Sequence, residues 1–99
     1  MTIDKKVNGT ELTIVLKGRL DTMTAPQLEG ELKQSVSGIE SLIFDIAELE
    51  YISSAGLRVL LSAQKVMNKQ GEMTIRNANP EVMEIFEVTG FIDILNIEE

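Results

Sequence analysis

The chain has 99 residues, of which 43% are hydrophobic and 25% are charged, a composition typical of one globular domain with a modest core. Nine Lys and Arg residues against sixteen Asp and Glu residues give a net charge of −7, which disfavours nonspecific binding to nucleic acid and favours protein partners with basic patches. Cysteine and histidine are absent, so Ser-His-Asp or Cys-His catalytic groups and most zinc sites are excluded within the chain. We therefore expect no metal and no cofactor.

The sequence also bears on cellular location. It contains no window of about twenty apolar residues, and the segment Met1 to Lys6 lacks the apolar stretch of a signal peptide. We therefore expect a soluble, cytoplasmic protein with no direct membrane insertion. Neither an internal repeat nor a linker-like stretch interrupts the sequence, so residues 1–99 are predicted to form a single domain.

The first third of the chain predicts a hairpin followed by a helix. Strands over Thr2–Val7 and Glu11–Lys17 flank Asn8-Gly9, a dipeptide that favours a tight hairpin turn. A loop is predicted over Gly18–Met23. The next helix is expected to begin with Thr24 as N-cap, to have Pro26 in its first turn and Gln27 in a capping box, and to be weakened by Gly30 at a cost of ~1 kcal/mol. Its predicted buried stripe is Ala25, Leu28, Leu32 and Val36.

The middle of the chain predicts a buried strand and a long helix. Leu42–Ile46 is almost continuously apolar, which indicates burial on both faces of a sheet covered by helices. A helix is predicted over Ser54–Lys69. Its broad apolar face comprises Leu57, Val59, Leu60, Leu61, Ala63, Val66 and Met67, and its solvent face comprises Arg58, Gln64, Lys65 and Asn68.

The last third predicts a strand over Gly71–Arg76 and a helix that begins after Asn79 as N-cap and ends at Gly90. The helix has Val82, Ile85 and Phe86 on its inward side. Phe91–Ile97 is predicted to form a short turn or helix with a terminal strand. Strands separated by helices indicate an α/β domain of two layers.

A pair of serines marks the predicted connection between the buried strand and the long helix. Ser53 and Ser54 precede an apolar helix, a position at which serine is most often an N-cap. The start of a helix also favours negative charge, because its first N–H groups lack partners and its dipole is positive there. From local sequence alone, capping and phosphorylation both remain open, and the two are compatible.

Two segments carry a resemblance to a known family. Ser54-Ala55-Gly56-Leu57 after an apolar strand, together with Gly18-Arg19-Leu20-Asp21 and the late Val88-Thr89-Gly90-Phe91 turn, resembles the STAS-domain anti-sigma factor antagonists of bacteria. The resemblance covers nearly the whole chain. It implies a STAS-type two-layer α/β domain, with a mixed β-sheet of about four to five strands covered by about three to four helices.

The resemblance also implies where the functional site lies. In this family the serine two positions before the glycine is phosphorylated by a partner kinase, and that position here is Ser54. Ser53 stands where many relatives carry aspartate, which makes it a second candidate acceptor. Asp21 matches an aspartate near the phosphorylation site and the kinase interface, although a turn residue bonding its own backbone would also be aspartate.

Four further residues are candidates for partner contact. Thr22 adds a hydroxyl beside Asp21. Ala55 and Gly56 leave room for a partner near the serines, or simply allow close packing of the helix. Arg58 lies one helical turn beyond Ser54, where an arginine pairs with a phosphate or remains a solvated surface residue.

Taken together, the resemblance implies a protein that is not an enzyme. The unphosphorylated chain would bind an anti-sigma factor that is also its serine kinase, and so release a sigma factor; phosphorylation would weaken binding, and a phosphatase would reset it. One alternative is a constitutive STAS adaptor, for example in a transporter complex. Another is a carboxylate hydrolase using Asp21, Asp45 or Glu50, for which no pocket or metal spacing can be argued.

Overall fold

A computed structural model describes residues 1–98, which form one five-stranded mixed sheet with helices on one face. In chain order the elements are β1 (Thr2–Asn8), β2 (Glu11–Leu20), α1 (Ala25–Ser35), β3 (Ser41–Ile52), α2 (Ser54–Gln70), β4 (Glu72–Arg76), α3 (Pro80–Thr89), a 3₁₀ turn η1 (Phe91–Asp93) and β5 (Ile97–Glu98). This is the predicted STAS-type fold class, with five strands and three α-helices.

The strands lie in the sheet in the order in which they occur in the sequence. β1 and β2 are antiparallel and joined by Gly9-Thr10, one residue later than the predicted Asn8-Gly9 turn: Gly9 has the expected left-handed φ of 64°, but Asn8 is the last residue of β1 and pairs with Glu11. β2, β3, β4 and β5 are parallel, so each connection between them crosses over through a helix. The carboxyl ends of β2, β3 and β4 therefore share one edge of the sheet, which we call the carboxyl edge.

Two strands are longer than the sequence predicts. β2 continues through Leu20, so the predicted loop from Gly18 is wrong for its first three residues, and β3 continues from Ile46 to Ile52. The register of the pair shifts twice, after Val15 and after Gly18, and then resumes with Leu20 opposite Ile52. These irregularities explain why the apolar alternation breaks although the backbone pairing continues.

The core lies between the three helices and one face of the sheet, in agreement with the predicted two layers, and the predicted burial of Leu42–Ile46 on both faces is confirmed although helices cover only one of them. Phe44 points into the core and is fully buried. Ile43 points to the opposite face and lies outside the core cluster, yet it is only 7% exposed. Its strand partners Thr13 and Thr74 flank it on that face, so neighbouring strands bury it without a helix.

Helix α2 differs from prediction at two positions. Gln64 was assigned to the solvent face but is 9% exposed; its Nε2 donates to Asn68 Oδ1 at 2.8 Å, and its Oε1 has no hydrogen-bond partner within residues 1–98. Val66 was assigned to the apolar face but is 41% exposed. The buried stripe of α2 is therefore rotated toward Gln64 and away from Val66, because α1 and the sheet contact α2 from different sides.

Both ends of α3 are as predicted. The side chain of Asn79 accepts a hydrogen bond from the Val82 N–H at 2.9 Å, which caps the first turn. Gly90 ends the helix with φ 79° and ψ 2°, the left-handed conformation that favours glycine. The chain then turns back through η1 to β5.

Candidate functional site

The candidate site is built where the carboxyl ends of β2 and β3 meet the start of α2. Leu20 and Ile52 are paired in the sheet, and the Ser53 N–H donates to the Leu20 carbonyl at 2.9 Å. In the chain, Asp21 directly follows Leu20 and Ser54 directly follows Ser53. The parallel pairing therefore brings the two predicted segments together at the carboxyl edge, although they are more than thirty residues apart in the sequence.

The two serines differ in what their hydroxyl groups do. Ser53 is the N-cap of α2: its φ and ψ of −94° and 175° are extended, and its Oγ accepts from the Gly56 N–H at 3.3 Å. Ser54 is the first helical residue and is exposed, and its hydroxyl makes no hydrogen bond within residues 1–98. Ser53 thus has a structural role, whereas Ser54 presents an uncommitted hydroxyl to solvent.

The start of α2 is also suited to an anion. The N–H groups of Gly56 and Leu57 bond to Ser53, so those of Ser54 and Ala55 are left without an intrahelical acceptor. No acidic residue lies in the first turn. Arg58 is exposed one turn later, at the spacing that places two Cβ atoms about 5–6 Å apart. A negative group on Ser54 would therefore meet the positive end of the helix dipole.

Gly56 is buried under the end of β2, and this explains why the position has no side chain. A Cβ on Gly56 would lie 2.7 Å from Leu20 Cγ and 2.9 Å from Ile52 Cγ1, both closer than real carbon atoms approach. The glycine lets the helix start rest directly on the strand ends. Of the two interpretations of Gly56, close packing is the one that the geometry describes.

Asp21, not Thr24, caps the turn that precedes α1. Its Oδ1 accepts from the N–H groups of Met23 and Thr24 at 3.0 and 3.1 Å. Thr24 occupies the N-cap position but makes no side-chain capping bond, so the predicted capping box is wrong. Its hydroxyl instead donates to the Arg19 carbonyl and accepts from the Asp21 N–H, both at 2.8 Å.

Sequence reasoning assigned no role to three other residues at this edge. The guanidinium of Arg19 lies 4.5 Å from the centre of the Tyr51 ring, and its Nε is 3.8 Å from Asp21 Oδ2. Met23 is 86% exposed in the turn beside Thr22. The signal for Met23 was a large apolar residue between two threonines, Thr22 and Thr24. Arg19 and Tyr51 lie opposite each other because β2 and β3 both extend beyond their predicted ends, and no sequence signal set that register.

The pKa of Asp21 gives a testable pH dependence. Partial burial, which raises it, is outweighed by hydrogen bonds from the Thr24 and Met23 backbone, by the Thr24 hydroxyl and by the Arg19 charge, so the pKa lies below its ordinary value. The ionised carboxylate therefore stabilises the fold above the unfolded pKa of about 3.9, and this contribution is lost as the pH falls through the lowered pKa.

We expect Asp21→Asn to lower stability at neutral pH and to lose less stability than the wild type on acidification. Asn keeps an oxygen that accepts both N–H bonds but has no charge to protonate. Urea unfolding of both proteins between pH 7 and about pH 3 measures the difference, which should narrow as the pH falls. A difference that stays constant or widens would contradict the assignment.

The described residues contain neither a metal cage nor a membrane span. Within residues 1–98, no three Asp or Glu side chains are grouped so that they could hold a metal ion. Over the same residues, no helix is long and apolar enough to cross a membrane.

Comparison with known proteins identifies the family. The family model described as STAS domain matches residues 2–99. A Bordetella bronchiseptica protein, BtrV, with the provisional description anti-sigma factor antagonist, is 40% identical over 99 residues, covering 98% of this chain and 84% of BtrV. The anti-sigma-B factor antagonist of Bacillus subtilis is 26% identical over 98 residues, covering 98% and 90%. These names describe proteins that act by binding, in agreement with the expectation that this chain is not an enzyme.

Solved structures show the same fold. An anti-sigma factor antagonist from Mycobacterium paratuberculosis superposes with a TM-score of 0.87 at 21% identity, covering 97% of this chain and 83% of that one. Unphosphorylated SpoIIAA gives 0.78 at 16% identity, covering 99% and 88%. Phosphorylated SpoIIAA, a Bacillus cell fate determinant, gives 0.76 at 17% identity, covering 99% and 92%. From the family match over residues 2–99, the fold and the antagonist relatives, we conclude that this chain belongs to the STAS domain family of anti-sigma factor antagonists.

Proposed function

We propose that this protein is a partner switch in the cytoplasm: without phosphate it binds an anti-sigma factor that is also a serine kinase, and phosphorylation of Ser54 weakens that binding. The main support for the proposal is that the hydroxyl groups of Ser53 and Ser54 have different environments. The Ser53 hydroxyl is engaged as a cap, whereas the Ser54 hydroxyl is exposed at a helix start that favours negative charge. The names of the antagonist relatives support the class of partner.

The chemistry of the switch is a transfer to this chain, not by it. The Ser54 Oγ attacks the γ-phosphorus of ATP held by the kinase, the bond to ADP breaks, and the hydroxyl proton passes to a kinase base. The kinase supplies Mg²⁺ and every catalytic group. A phosphatase returns the hydroxyl by hydrolysis. This chain contributes an accessible acceptor on a rigid helix, and the proposed contact surface around it comprises Asp21, Thr22, Ser53, Ala55 and Arg58, whereas the buried Gly56 only lets the helix start pack closely beneath it.

Phosphorylation changes the surface more than the fold. The phosphate adds about −1.5 to −2 charges beside Asp21 and one turn from Arg58. The helix dipole and the free N–H groups at Ser54 and Ala55 accommodate this charge, so the domain stays folded. A partner that fits the neutral hydroxyl must instead desolvate a dianion, which costs binding energy.

The first test is intact mass and site mapping of the protein from its own cells, with Ser53→Ala and Ser54→Ala variants as a matched pair. We expect one phosphate on the wild type and on Ser53→Ala, and none on Ser54→Ala. Ser53→Ala should cost about 1 kcal/mol of stability through the lost cap and still be phosphorylated. If the phosphate were lost only in Ser53→Ala, the acceptor would be Ser53 and the assignment to Ser54 would be wrong.

The second test measures partner binding directly. The anti-sigma factor that co-purifies with the wild type is expected to bind Ser54→Ala as well as the wild type, and Ser54→Asp at least about tenfold more weakly. If the anti-sigma factor bound Ser54→Asp as tightly as the wild type, and no phosphate were found under any growth condition, the switch hypothesis would be wrong and the constitutive adaptor would be favoured.

A further inference from the structure

The charges of the chain are divided between two regions. The last 23 residues, 77–99, contain six acidic residues and no Lys or Arg: Glu81, Glu84, Glu87, Asp93, Glu98 and Glu99. Helix α2 has the reverse composition, with Arg58, Lys65 and Lys69 exposed and no acidic residue. The net charge of −7 is therefore concentrated in the C-terminal region, whereas the exposed charges of α2, the helix that begins at Ser54, are all positive.

Glu81 in the first turn of α3 is explained by the helix dipole, but Glu84 and Glu87 are not. Glu87 lies in the last turn, where a negative charge opposes the helix dipole and a cation would stabilise it by about 0.3–1 kcal/mol. Within residues 1–98 the carboxylates of Glu84, Glu87 and Asp93 form no ion pair; Arg76 pairs with Glu98 instead. These side chains keep their negative charge toward solvent.

Apolar side chains are exposed among these carboxylates. Val88 is 77% exposed, one turn after Glu84 on the outer side of α3, and Ile92 and Ile94 are 37% and 49% exposed in the following turn. The left-handed Gly90 reverses the chain between them, while Leu95 enters the core and anchors the turn. Single exposed apolar residues are ordinary, but three within seven residues, surrounded by charges of one sign, form a patch.

The patch lies far from Ser54. Asn79, at the start of α3, donates to the Leu49 carbonyl near the carboxyl edge. The ten residues of α3 then run about 15 Å back toward the opposite edge, as a helix between parallel strands must. Val88 and Gly90 therefore lie at the other end of the domain from the serines. A protein bound at one end leaves the other accessible.

We propose that Val88, Ile92 and Ile94, with Glu84, Glu87 and Asp93 around them, form a second docking surface that binds a basic amphipathic helix of a partner protein. The apolar side chains provide the buried centre, and the carboxylates pair with Lys or Arg at its rim. An anionic membrane is repelled, and two copies cannot meet through this face because the charges are alike. The proposal stands apart from the phosphoswitch and does not rest on it.

The test uses the full chain and a fluorescent amphipathic peptide of leucine and lysine, about four helical turns long. We expect Glu84→Lys/Glu87→Lys to weaken its binding at least about tenfold and Val88→Ser to weaken it about fivefold. Glu11→Lys/Glu29→Lys, with the same net charge, and Val7→Ser, an exposed apolar residue on β1, are the matched controls and should change it less than about twofold. Backbone amide shifts should cluster at residues 84–94.

The outcomes separate this surface from its alternatives. Ser54→Asp should bind the peptide like the wild type, because the two sites lie at opposite ends. Equal weakening by the control pair would mean that only net charge matters, and shifts centred on α2 or β1 would place the contact elsewhere. Equally tight binding of a leucine-glutamate peptide would show that the carboxylates of this surface do not select a basic partner. Self-association abolished by Glu84→Lys/Glu87→Lys would make a second copy the occupant. Each of these results would overturn the proposal.

Discussion

Replacing Gly71 with alanine is expected to lower the free energy of unfolding by about 4 kcal/mol or more, a large share of the roughly 5–15 kcal/mol available to a small domain. The added Cβ would overlap the carbonyl oxygen of Glu40 and lie 2.6 Å from its carbonyl carbon. The Glu40 carbonyl cannot move aside, because its oxygen accepts from the Glu72 N–H at 2.9 Å and the N–H groups of Glu40 and Ser41 on either side of it both donate to Thr10 O, at 2.8 and 3.2 Å. The clash is with fixed backbone.

Gly30→Ala is the matched control for this substitution. Gly30 lies inside α1, and a Cβ there meets nothing within 4 Å. Alanine should therefore stabilise the helix by about 0.5–1 kcal/mol. Urea unfolding followed by circular dichroism compares both variants with the wild type. A Gly71→Ala protein within about 1 kcal/mol of the wild type would mean that the end of α2 and the start of β4 can move apart without loss of the fold.

The second large effect concerns the packing of Gly56 on Leu20. We expect Gly56→Ala to cost about 2–3 kcal/mol, because its Cβ meets two fully packed side chains, and Leu20→Ala to cost about 3 kcal/mol by leaving a cavity. The double variant should cost about 1–2 kcal/mol less than the sum, since the shortened Leu20 side chain makes room for the new methyl group. Ile52 Cγ1 remains close, so compensation is partial.

A double-mutant cycle of unfolding free energies tests this coupling, with Leu28→Ala replacing Leu20→Ala as the control. Leu28 is equally buried, but the three heavy atoms nearest to a Cβ on Gly56 belong to Leu20 and Ile52. Strict additivity in the Gly56–Leu20 cycle would show that the start of α2 tilts away from the strand ends instead of pressing on Leu20. Amide shifts of Ser53 and Ser54 in Gly56→Ala would report such a tilt directly.

The elements that sequence predicted well are those specified by local chemistry. The left-handed Gly9 of the hairpin, the Asn79 cap and the Gly90 end of α3 each depend on a residue whose preferred backbone conformation or side-chain bond is local. Local pattern also placed the serines at the start of a helix, and the family resemblance then supplied the mixed sheet and the choice of Ser54 as the expected acceptor. The assignment of Ser53 to the cap required coordinates, because both serines satisfy the local pattern.

The errors arose where tertiary contacts override local pattern. The Thr24 hydroxyl donates to the Arg19 carbonyl and does not cap α1. Asp21 instead accepts the hydrogen bond from the Thr24 N–H at the turn before the helix. The extension of β3 to Ile52 includes Glu48 and Glu50, and charged residues at these positions suggested a turn in the sequence. Both are compatible with a strand because the face of the sheet on which they lie is open to solvent.

The agreement between strand order and sequence order bears on how the protein is made. No strand has to insert between two that are already paired, because each one is added beside its predecessor. A chain emerging from the ribosome can therefore assemble its sheet in the direction of synthesis. Until β4 emerges, the far edge of β3 is exposed, and this is the stage at which the nascent chain is most open to association with other chains. The acidic surface of α3 and the turn after it is completed only after β4 has paired with β3.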